Sequence, residues 1–254
     1  MEMPNVPQGN KEHPISMIVI SANNLAASND FYSKLFGWQM QKMSPELIGG
    51  MGPAGPIVAL RSNIPAGFPG MVPYINVRDI DGMLARLVEA GGSTERAPWS
   101  IPGVGKLARF KDPSGTIYGL SDAMLPGPLP HTGMPVGSNP KPPAGAVCHL
   151  EMHAGSGADA ARFFGENFGW GTLETMPQYM AFDPGAGVSG IFQSHTPTMP
   201  AVAYIYSTDV DASLIEIEAA GGKRVGNPMR IPGFACFGYF KDPSDTNMGL
   251  IGPA

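Results

Sequence analysis

Apolar and polar positions along the chain follow two alternating rhythms. Residues 15–21 (ISMIVIS) form a short run rich in β-branched side chains, which predicts a strand. From about Asn24 to Phe36 the apolar residues Leu25, Phe31, Leu35 and Phe36 supply one side of a helix. Asn24 is its N-cap, and Gly37 stops it in the C′ position. Short strands follow to about Leu60. The rhythm then restarts: strand 73–77 (PYINV), a helix over 80–90 capped by Asp79 and stopped by Gly91 and Gly92, then strands to about 121. Each unit reads βαβββ.

The same order of signals returns later in the chain. FYSKLFGW at Phe31 becomes FFGENFGW at Phe163, and DIDGMLARLVEAGG at Asp79 becomes DVDASLIEIEAAGG at Asp209. IPGVG at Ile101 becomes IPGFA at Ile231, and FKDPSGTIYGL at Phe110 becomes FKDPSDTNMGL at Phe240. The offset stays at 130 to 132 residues. This is tandem duplication of a large unit rather than a short solenoid period. The segment between the copies is dense in Pro and Gly and has no apolar period, which predicts an extended linker over 123–145 between domains at 12–122 and 146–254. In the repeated phrase, Asp112-Pro113-Ser114-Gly115 is a type I turn, so Asp112 and Asp242 read as turn formers rather than catalytic groups.

Composition narrows the function classes. The chain of 254 residues is 43% hydrophobic and only 15% charged, with 34 Gly and 27 Pro, as a strand-rich fold with many turns requires. Net charge is −5 with no basic run, which argues against a nucleic-acid partner. No apolar run is long enough for a membrane span, and the polar start lacks the apolar core of a signal peptide, so a cytoplasmic protein is expected. Cys148 and Cys236 are far apart and read as buried, reduced thiols. No P-loop, GxGxxG fingerprint or nucleophile elbow stands in a suitable context.

Four βαβββ modules carrying FY…LFGW, D-[IV]-D…A-x-G-G and KDP-S-[GD] resemble a tandem protein of the vicinal oxygen chelate superfamily. This is the glyoxalase, bleomycin-resistance and extradiol-dioxygenase group of bacterial proteins. The resemblance implies an α+β fold: two glyoxalase-like domains, each a cup-shaped mixed sheet. It also implies where a divalent metal would be held. By position those ligands fall on Met17, Val72 and Gly119 in the first copy, and on His149, Val202 and Gly249 in the second. Only His149 carries a donor side chain, so the expectation is no metal and no other cofactor, with a divalent ion at His149 as the disfavoured reading.

The remaining chemistry gathers in the second copy. In CHLEMH, His149, Glu151 and His153 share one strand face at steps of about 6.6 Å. The resemblance turns that face into the cup. The first copy has Met17, Val19 and Ser21 there, so its cup is expected to be nearly apolar. Three readings of the polar strand stand side by side: side chains bonded to neighbouring strands, an acid–base or ligand-binding set, or a metal site outside the superfamily pattern. Tyr204, Tyr206, Phe182 and Asn247 are candidate ligand contacts, suited to a small planar or aromatic molecule. The expected protein binds a small molecule, as a monomer or homodimer. If it is an enzyme, it is a glyoxalase-like lyase, isomerase or dioxygenase.

Overall fold

A computed structural model describes residues 5–65, 68–125, 127, 129–134, 141–194 and 201–254. His195 and part of the 123–145 linker lie outside the described residues. The first copy runs β1 (Ile15–Ser21), α1 (Leu25–Phe36), β2 (Gln39–Ser44), β3 (Leu47–Met51), β4 (Ile57–Arg61), β5 (Met71–Asn76), α2 (Ile80–Glu89), β6 (Ser93–Ile101), β7 (Gly105–Lys111) and β8 (Ile117–Ser121). The second repeats it: β9 (Val147–His153), α3 (Gly157–Phe168), β10 (Gly171–Met176), β11 (Tyr179–Asp183), β12 (Gly190–Gln193), β13 (Ala201–Tyr206), α4 (Val210–Ala219), β14 (Lys223–Ile231), β15 (Ala235–Lys241) and β16 (Asn247–Gly252). This is βαβββ four times.

The helices start and stop where their cap residues dictate. Asn24, Asp79, Ser156 and Asp209 each accept a hydrogen bond from the backbone N–H three residues on. Gly37 and Gly169 end α1 and α3 at φ 68°, a left-handed conformation that a side chain would strain. Asp112 holds its turn by accepting from the backbone N–H groups of Ser114 and Thr116, and Asp242 does the same with Ser244 and Thr246. Both aspartates are thus structural, as the DPSG pattern predicts.

Each copy closes its own eight-stranded sheet, in the order β2-β3-β4-β1-β5-β8-β7-β6 and its equivalent in the second half. The two modules of a copy meet where β1 pairs antiparallel with β5, and β9 with β13. A register shift at the start of β1 and of β9 places Met17 and Val19, or His149 and Glu151, on the concave face. The alternate residues Ile18 and Ile20, or Leu150 and Met152, point to the convex back.

The two backs share one core, with the helices between them. Phe31 and Phe36 of α1 both approach Phe240 of the second copy, at 6.1 Å between ring centroids. Phe163 and Phe164 of α3 approach Phe110 and Tyr118 of the first, at 6.4 and 4.9 Å. Burying one such ring contributes roughly 2–3 kcal/mol. The Tyr32 hydroxyl donates across the seam to the Asp242 carboxylate at 3.0 Å. Trp38 Nε1 donates to the Gly145 carbonyl, which leads into β9, and Trp170 Nε1 donates to the His13 carbonyl, which leads into β1, both at 2.8 Å. Each copy therefore clamps the chain entering the other.

Candidate functional site

Packing in the second cup starts from the parity of β13. Val202, Tyr204 and Tyr206 share the concave face with Cys148, Phe237 and Ile251, so both tyrosines lie where the sequence places them. Cys148 and Cys236 are buried free thiols. His149 pairs in register with Tyr204, with ring centroids 5.6 Å apart. Glu151 follows one step up the same face and accepts a hydrogen bond from the Tyr204 hydroxyl at 2.5 Å. That hydroxyl lies 2.6 Å from the Tyr239 hydroxyl, so Glu151, Tyr204 and Tyr239 form a chain with Tyr204 donating to the carboxylate.

His149 is almost wholly buried, and neither ring nitrogen has a hydrogen-bond partner. Burial holds its pKa down at about 3, so the ring is neutral near pH 7. A buried imidazole with two unmet hydrogen-bonding atoms costs about 1–3 kcal/mol for each polar group left unpaired. A ligand offering a donor and an acceptor would recover that cost. Burial, then the Glu151 charge, push Tyr204 up, and the same two causes lead in raising Tyr239 to about 12. Both hydroxyls keep their protons at neutral pH. The Glu151 charge reaches Tyr179 as well, behind burial.

Three of the expected contacts fall elsewhere or at the edge. Phe182 is in the shared core, stacked on Trp170 at 5.0 Å, and not in the cup. The reason is parity: on β11 it is an odd number of residues from Tyr179, so the two side chains face opposite ways. His153 ends β9 and lines a groove of about 330 Å³ with Met71, Pro73 and Tyr118 of the first copy. The structure thus brings His149 and Glu151 together around Tyr204 and leaves His153 at the seam. Asn247 begins β16 opposite Lys241, two residues from Gly249 on the same face. A second groove, about 550 Å³, also lies at the seam, between the Asp112 turn and α3.

Gly119 and Gly249 stand where the resemblance places a carboxylate ligand, and neither position has room for a side chain. A Cβ on Gly249 would lie 2.4 Å from the Tyr204 ring, and one on Gly119 would lie 2.1 Å from the Tyr74 ring. In each copy a tyrosine on the neighbouring parallel strand fills the space that a ligating side chain would need. These residues do not fit a three-ligand metal of the superfamily type. Among the described residues no three His, Cys, Asp or Glu side chains converge.

The first cup corrects an expectation. Met17, Val19, Val72 and Leu107 are apolar, but the face is not. Arg109 on β7 is 4% exposed and pairs with Glu95 through Nε and Nη2 at 2.5 and 3.2 Å. Its guanidinium carbon lies 4.8 Å from the Phe68 ring centre and 5.6 Å from that of Trp99. Arg96 stacks on Trp99 at 3.9 Å, and Arg61 lies 6.0 Å from Phe68. Burial raises the Tyr74 pKa, against the lowering pull of Arg109, Arg61 and Arg96. The sequence offered a signal: Arg61 and Arg109 stand two residues from the cup-lining Ala59 and Leu107.

No described helix is long and apolar enough to cross a membrane. The chain is 26% identical over 252 residues to "Putative glyoxylase CFP32" of Mycobacterium bovis, covering 92% of this chain and 93% of the relative. Its fold is that of the 2,3-dioxygenase LapB from Pseudomonas sp. KL28, at a TM-score of 0.65 and 14% identity over 97% of this chain and 93% of that one. It matches the Mn(II)-bound glyoxalase from Novosphingobium aromaticivorans equally, at a TM-score of 0.65 and 15% identity over 97% and 83%. The family model described as the Glyoxalase/Bleomycin resistance protein/Dioxygenase superfamily matches residues 15–117, and the second half repeats the same strand order.

Proposed function

We propose that the chain binds a small planar or aromatic molecule in the second cup, without the superfamily metal triad. The carrying observation is His149: buried, neutral, and without a partner for either nitrogen, beside the Glu151–Tyr204–Tyr239 chain. The imidazole offers one donor and one acceptor, the tyrosines offer ring faces, and Glu151 offers a carboxylate that Tyr204 already orients. The same set can move a proton between a bound hydroxyl or carbonyl-adjacent carbon and Glu151, so acid–base work on the ligand is within its chemistry. A cytoplasmic monomer or homodimer goes with this reading. The test is a panel of phenols and quinones headed by catechol, followed by the His149 ring resonances and by thermal shift. Binding that moves those resonances and weakens about tenfold in His149→Ala supports the reading. Equal binding by His149→Ala, or no binding by any member, overturns it.

The second reading is a divalent-metal-dependent lyase, isomerase or dioxygenase. It is favoured by the name of the mycobacterial relative, which spans nearly the whole chain. Elemental analysis of untagged protein, with thermal stabilisation by Zn²⁺, Ni²⁺, Mn²⁺ and Fe²⁺, separates the two. Near-stoichiometric metal that is lost in His149→Ala would replace the first reading with the second.

A further inference from the structure

The first cup holds three guanidinium groups and one carboxylate. Among the described residues, Glu95 alone forms an ion pair with any of them, through Arg109. Arg109 Nη1 is buried and has no hydrogen-bond partner. A buried charge is stable when paired and fully hydrogen-bonded, so an orphaned N–H on a concave face marks a place for an acceptor. The three arginines also oppose one another. Burial, then Arg109 and Arg61, lower the Arg96 pKa. Three guanidinium groups beside one carboxylate leave an excess of two positive charges, which an anion would offset.

The surrounding surface narrows the class of anion. Trp99, Phe68 and Tyr74 lie beside the arginines: the Arg96 guanidinium carbon stands 3.9 Å from the Trp99 ring centre and that of Arg109 4.8 Å from the Phe68 ring centre. Arginine on an aromatic face keeps its fork of donors free for a planar acceptor, and a carboxylate matches that fork. Apolar Met17, Val19 and Leu107 line the rest of the cup. We infer that the first cup is a binding site for an aromatic carboxylate, its carboxyl group received by Arg109 Nη1 with Arg96 and Arg61, its ring against Trp99 and Phe68. This site is separate from the second cup and does not depend on the function proposed there.

Benzoate is the probe, with benzamide as the neutral isostere and inorganic phosphate as the charge-only control. Titration calorimetry on the full chain should show benzoate binding, with benzamide and phosphate each about tenfold weaker or worse. Arg96→Gln, a change at a half-buried position, should weaken benzoate about ten- to a hundredfold, and Arg61→Gln by less. Arg109→Met should abolish binding, with Arg96→Gln as the informative variant if Arg109→Met fails to fold. His149→Ala should leave benzoate affinity unchanged. Equal binding of benzoate and benzamide, or an unaltered affinity in Arg96→Gln, overturns the site. Phosphate binding as tightly as benzoate overturns the assignment to an aromatic carboxylate, and loss of benzoate in His149→Ala moves the ligand to the other cup.

Discussion

The two cups are one frame with opposite charge. Tyr74 and Tyr204 stand at matching places, each packed over a glycine on the adjacent parallel strand. Around them the chemistry is exchanged. Met17 and Val19 in the first cup answer to His149 and Glu151 in the second, while Arg109 answers to Tyr239. A carboxylate was placed on the central strand of one cup, and a guanidinium on the flanking strand of the other. The concave face of a curled sheet carries side chains that the fold does not need for its core, so charge can be rewritten there while the backbone stays put.

The frame itself is the first part of the comparison to break. Gly119→Ala and Gly249→Ala should each cost about 3 kcal/mol, measured by denaturant unfolding, because a whole ring must shift to admit the methyl group. A copy that tolerates the change would show that its tyrosine is not fixed. Next comes acid. The His149 pKa is about 3 in the folded protein, so the unfolded chain binds the extra proton between pH 6.5 and 3. Stability from this group is therefore complete above pH 6.5 and falls as pH drops, by about 2 kcal/mol at pH 5. His149→Met, which copies Met17 into the second cup, should flatten that part of the pH profile. An unchanged acid slope would mean that His149 is protonated in the fold. Tyr204→Phe should cost about 1.5 kcal/mol by removing the donor to Glu151, read from the denaturation midpoint. No loss there would show that water serves Glu151 as well.

The smallest effect has the opposite sign. His131 Nε2 donates to the Asp183 carboxylate at 3.0 Å, and this bond is the leading cause of its raised pKa. Its contribution to stability is present below the ordinary histidine pKa and is lost as pH rises through the raised value. His131→Asn should flatten a shallow decline in melting temperature between pH 6 and 8, kept small because the ring is partly solvated. A profile identical to wild type would remove the ion pair from the account.

Local signals carried the fold. Strand 15–21, the Asn24 and Asp79 caps and the glycine stops are all where the residue pattern puts them. The strand read as 73–77 starts earlier, at Met71, because its first residues pair with β1 rather than ending in a turn. The sites were legible only in part. His149, Glu151 and Tyr204 follow from strand parity on β9 and β13. Phe182 failed on the same rule, since it and Tyr179 have opposite parity. Arg96 lies between two register shifts on β6, at Thr94/Arg96 and Arg96/Trp99, so no simple alternation predicts its face. Arg109 and Arg61 obey parity, each two residues from an apolar cup residue, but neither stands at a ligand position that the resemblance implies.

The reciprocal tryptophan clamps have a consequence for anyone who would cut this chain in two. Trp38 latches the lead-in to β9, and Trp170 latches the lead-in to β1. Severed within the linker, neither fragment keeps its own latch, and each would present to water the apolar back that its partner normally covers. Such fragments should behave as a complementation pair, poorly soluble apart, with tryptophan fluorescence reading out the reburial of both indoles on mixing.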